Sequence, residues 1–198
     1  STLVLLLPIS ISISFLQVFY QRSSIKSLVS EYNIFCLPFL ILFLVIAITL
    51  RDTVNIRIYV SIFLIITSLI ILNKDRIIRR DKYLLKYRKV CLILIGSIHG
   101  FTNMGGGFLS IFSTLVNGGD KVLTRKYISY GYFVMGVMQY TTILFIGLSN
   151  IDFTKLYYIF LALFLFFPCQ KIFNKLNDQL FIKTINYVAL SFGIIALI

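Results

Sequence analysis

The chain has 198 residues, of which 59% are hydrophobic and 13% charged, with a formal net charge of +12 and a mean hydropathy of +0.93. This excludes an ordinary water-soluble domain, in which about a quarter of the residues are charged. The positive excess belongs to a membrane surface rather than to nucleic acid.

The expected fold is an all-α polytopic membrane protein. Apolar runs of bilayer length, about 20 residues per span, occur near 2–20, 34–50, 55–73, 90–116, 126–148, 154–170 and 181–198. They are continuous and do not alternate, which argues against a β-barrel. The first run, STLVLLLPISISISFLQVFY, has neither a basic leader nor a small-residue cleavage site and reads as a span, not a signal peptide. Cys36, Cys91 and Cys169 fall in or near different runs without CxxC or metal spacing and read as packing residues.

The stretch NKDRIIRRDKYLLKYRK (73–89) holds eight basic and two acidic residues, the pattern of a cytoplasmic anchor. It divides the chain into a first transmembrane repeat (1–73), a basic cytoplasmic loop (74–89) and a second transmembrane repeat (90–198). At an offset of 122 residues Gln17 falls on Gln139 and Thr2 on Thr124, and the order of elements agrees between the two parts. The second repeat opens with 90–116, whose counterpart would precede Ser1. The chain is therefore read as lacking its opening segment.

Charge bears on the path of 90–116. If it crosses once, 11 basic residues lie on the loop side and 8 opposite; if it enters, breaks and returns, the division is 16 against 3. The positive-inside rule favours the return. Length agrees, because 27 residues would make about 40 Å of unbroken helix, longer than one crossing requires. The second repeat thus opens with a glycine-broken re-entrant or long helix, and the two repeats run in opposite directions, as in many carriers.

The break itself is HGFTNMGGGFLS (99–110), which holds the chain's single His. Backbone groups without partners are tolerated at membrane depth only inside protein or beside a watery cavity. A helix starting after the break would aim free N–H groups back at it and attract an anion. Asn103, Gly105, Gly106, Gly107 and Ser110 are therefore expected to bind substrate, with Ser113 and Thr114 as further hydroxyl donors. Gln17 and Gln139 are candidate contacts or helix–helix hydrogen bonds. His99 is the candidate for proton coupling, with a hydrogen-bonded structural role as the alternative. Gly96 and Gly100 form a GxxxG pair suited to helix packing. The acidic residues all lie in loops or at span ends, away from His99, so no enzyme is expected and no metal or other cofactor is implied.

The segment GSIHGFTNMGGGFLSIFSTLV (96–116) resembles the signature of the TauE/SafE sulfite exporter family of anion permeases, with Gly96, Gly100, Gly105, Gly106 and Gly107 matching. Asn103 stands where that family usually has Gly, and the usual Pro is missing from 110–114. The resemblance implies a permease or exporter in the cell membrane. Its substrates would be small sulfur-containing or organic anions, and transport would be secondary and proton-coupled. The implied partners are the lipid bilayer and the anion. The alternative is a non-transporting or fragmentary membrane protein whose glycines serve packing.

Overall fold

The computed structural model describes residues 2–20, 26–50, 86–103, 106–117, 121–146 and 157–175, together with eleven isolated positions between 58 and 69 and between 187 and 195. Most of the basic loop, the expected spans 55–73 and 181–198, and Gly105 lie outside them. The described residues form helices and turns, with no strand among them. The helices are α1 (Thr2–Tyr20), α2 (Lys26–Phe35), α3 (Leu37–Thr49), α4 (Arg88–Thr102), α5 (Gly106–Val116), α6 (Lys121–Phe145) and α7 (Tyr157–Lys175).

Helices α2 and α3 meet at Cys36. Pro38, in the first turn of α3, has no N–H to donate to the carbonyl four residues back. The ladder nevertheless runs through, since Cys36 N–H donates to Tyr32 O at 2.9 Å and Leu40 N–H to Cys36 O at 3.0 Å. Val29–Thr49 thus acts as one helix of 21 residues, long and apolar enough to cross a membrane.

Side-chain contacts fix the directions of the helices. Gly96 and Gly100 of α4 lie against Cys36 and Leu40 of α3, so α3 and α4 run the same way. Tyr127 of α6 packs on Tyr32 of α2 at 5.8 Å between ring centroids, while Gln139 reaches Asn103, so α6 also follows that direction. Ile11 beside Gly136, Phe15 beside Phe133 and Gln17 beside Ser129 make α1 antiparallel to α6. Ser113 Oγ donates to Thr124 O at 2.9 Å, Phe112 packs on Tyr127 and Leu109 lies against Gly131. Helix α5 is therefore antiparallel to α6, and hence to α4.

Helices α4 and α5 thus form a hairpin, not one long helix: the first ends at Thr102 and the second begins at Gly106. Its core comprises Tyr32, Cys36, Leu40, Leu92, Ile95, Leu109, Phe112, Tyr127 and Met135, all buried. At the far side, Tyr20 meets Phe166 of α7 edge-on and Arg125 donates to Gln170 Oε1. The nine Lys and Arg among the described residues (Lys26, Lys86, Arg88, Lys89, Lys121, Arg125, Lys126, Lys171 and Lys175) all lie at the same end of these helices.

Candidate functional site

Helix α4 stops because Asn103 takes a left-handed backbone, φ 60° and ψ 16°, while its N–H still bonds His99 O at 2.8 Å. Asn is one of the few residues with a side chain that enters this region at modest cost. The turn leaves Asn103 exposed, and its Oδ1 accepts a hydrogen bond of 3.1 Å from Nε2 of Gln139. Gln139 itself is buried, at 1% exposure, and its side chain also meets the His99 imidazole.

His99 is buried at 3% exposure. Its ring lies edge-on to Tyr132, 6.3 Å between centroids, and its Nδ1 has no hydrogen-bond partner among the described residues. The Tyr132 ring reaches over the start of α5. A Cβ added to Gly106 would overlap the Tyr132 hydroxyl and lie 2.5 Å from its Cζ. Glycine at 106 is what lets that hydroxyl rest on the first turn of the helix. The N–H groups of a first turn have no intrahelical acceptor; the Tyr132 hydroxyl rests on that start, and the Tyr132 ring in turn meets His99.

The structure joins Gln139 to Asn103 and, through Tyr132, His99 to Gly106, and it places Gln17 away from them. Gln17 accepts from Ser129 Oγ at 2.7 Å. Ser129 and Gln139 are ten residues apart on α6, about 15 Å along its axis. Because α1 and α6 are antiparallel, residues that match by sequence offset fall on opposite sides of their crossing. Gly107 lies one residue into α5, partly buried. Ser110 donates to Gly106 O at 2.9 Å within α5, and Ser113 ties α5 to α6. Gly105 lies outside the described residues, as does the side chain of Thr114.

Gly96 and Gly100 have the packing role their spacing suggests. A Cβ at Gly96 would run into the Cys36 carbonyl, and one at Gly100 into the Leu40 carbonyl while lying 3.0 Å from Leu44 N. The contribution of Tyr132 was not anticipated from the sequence. It lies in KYISYGYFVMG, where its ring reads as one more interfacial aromatic. The same holds for Tyr32, whose hydroxyl donates to Gly131 O at 3.4 Å.

Among the described residues no Lys, Arg, Asp or Glu lies beside Asn103, His99, Gln139 or Tyr132. Glu31 is the one acidic side chain among the described residues, and Arg88 pairs with it at the basic end. No group of three or more His, Cys, Asp and Glu suited to a metal occurs among the described residues. No protein family, curated protein or solved structure matches the chain.

Proposed function

We propose that this chain belongs to a multi-pass membrane permease for small anions, in which the α4–α5 hairpin enters from the basic face and turns within the bilayer. The observation that carries this reading is the start of α5: a helix N-terminus covered by the Tyr132 hydroxyl, whose ring meets the buried His99. Such a terminus carries about half a positive charge, and the donors around it suit an anion. An apolar surround makes a polar turn of this kind tolerable only where protein or a solute satisfies it.

The one-ended distribution of the nine described basic residues supports a cytoplasmic basic face under the positive-inside rule. On that orientation α1 and α7 descend toward the cytoplasm, and α3, α4 and α6 ascend from it. His99, the titratable imidazole beside the turn, is the candidate for coupling transport to protons. The resemblance of 96–116 to sulfite exporters points to sulfur-containing or organic anions as cargo.

The test is uptake of radiolabelled sulfite, sulfate, taurine and sulfoacetate into proteoliposomes, with and without an imposed pH gradient. Saturable flux of at least one, abolished by Gly106→Leu, is the expected result. The absence of flux for all four, in protein whose fold is intact, would refute the permease reading.

A further inference from the structure

The outer edge of the bundle carries a pattern that anion transport does not use. We infer, resting on the multi-pass membrane part of the proposed function, that the corner where α1, α6 and α7 meet at the basic end is a docking site for anionic phospholipids.

Direct contacts define the corner. Arg125 of α6 donates to Gln170 Oε1 on α7, and the Tyr20 ring at the end of α1 meets Phe166 of α7 edge-on, 6.4 Å between centroids. Phe166 and Gln170 are one turn apart, so this face of α7 is turned to its two neighbours. The face beside it is open. Phe160, Phe164 and Phe167 recur at helical spacing and are 74%, 75% and 61% exposed. On α1, Phe15 and Phe19 stack at 4.5 Å between centroids, both exposed, and they too lead to the basic end. Contiguous apolar surface of this kind marks a membrane or protein contact.

Length fits one leaflet. Phe160 to Lys171 is eleven residues, about 16 Å along the axis, close to half of the hydrocarbon core of about 30 Å. Acyl chains laid along the stripe bring their headgroups level with Lys171 and Lys175, both exposed and one turn apart. Arg125 and Lys126, partly buried, stand in the first turns of α6 at the same end. The stretches that adjoin the corner in sequence, 18–26, 120–126 and 170–183, together hold eight basic residues and two acidic ones. A headgroup of net negative charge gains about fivefold in affinity for each nearby Lys or Arg. A zwitterionic headgroup brings its own ammonium to the same cations and gains no such net attraction. A second copy docked side by side would set its own lysines against these, so charge complementarity favours the lipid over a like chain.

The chain contains no Trp, so a single one reports its own surroundings. Phe167→Trp places it beside the basic corner, and Phe145→Trp, at a position 91% exposed at the other end of α6, is the reference. The full chain carrying either is reconstituted into mixed phosphatidylcholine and phosphatidylglycerol vesicles in which one lipid or the other is brominated, and quenching gives their relative affinity. Phosphatidylglycerol is expected to be favoured at least about threefold at 167 and not at 145. Lys171→Gln combined with Lys175→Gln should lower the ratio at 167 at least about twofold. Equal affinities at 167, an excess of the same size at 145, or a ratio that the two Gln substitutions leave unchanged would overturn the site. Quenching by neither lipid at 167, with quenching intact at 145, would show the stripe covered by protein and would overturn it as well. Quenching by neither lipid at either position would take the multi-pass membrane reading with it.

Discussion

Gln139 donates to Asn103 across 3.1 Å, and so the middle of one helix holds the residue that reverses another. The bond joins a buried amide on α6 to the left-handed residue that ends α4. It ties the hairpin turn to the helix that α5 packs against.

That relationship makes Asn103 sensitive in two separable ways. Asn103→Ala is expected to destabilise the protein by about 1–2 kcal/mol through its left-handed backbone, and by about 0.6 kcal/mol more through the lost interhelical bond. Asn103→Gly removes only the second contribution. Thermal unfolding in detergent should rank wild type above Gly above Ala. Equal stability of the Ala and Gly variants would mean that the positive φ is not a constraint.

Gly100→Ala tests the closest helix contact. The added methyl would press on the Leu40 carbonyl and lie 3.0 Å from Leu44 N, and backbone cannot swing aside as a side chain does. Overpacking of this kind costs about 1–3 kcal/mol. A melting temperature within error of wild type would show that α3 and α4 are not locked together here.

Gly106→Ala meets a different obstacle, the far end of Tyr132. That ring can rotate, so the cost should be smaller than at Gly100. It should also depend on Tyr132: a Tyr132→Ala background should relieve it, giving a coupling of about 0.5–3 kcal/mol in a double-mutant cycle. Strict additivity would mean the two residues do not touch.

The hairpin was legible in the sequence because two independent signals met there. Asn103 and the glycines after it break helical propensity, and the charge count favoured a chain that turns back. The GxxxG spacing of Gly96 and Gly100 likewise suggested a close helix contact, and α3 supplies it. The partners were not legible. Tyr132 covering Gly106, and Gln139 reaching Asn103 rather than standing level with Gln17, depend on how α6 is rotated and which way α1 runs beside it. A single sequence fixes helical faces but not which face meets which. The offset of 122 aligned Gln17 with Gln139 as residues, and antiparallel packing then set them about 15 Å apart.

The hairpin also makes a prediction about sidedness. In a cysteine-free background, single cysteines replacing Arg88, at the start of α4, and Asn117, just past α5, should react with a membrane-impermeant maleimide from the same side. A cysteine replacing Phe145, at the end of α6 and 91% exposed, should react from the opposite side. The reasoning is geometric. Helices α4 and α5 are antiparallel and shorter than α6, at 15 and 11 residues against 25, so on the proposed orientation they would enter and leave by one face while α6 crosses. Labelling of positions 88 and 117 from opposite sides would require α4 and α5 to cross as one continuous path, and would refute both the proposed re-entrant turn and the proposed anion site.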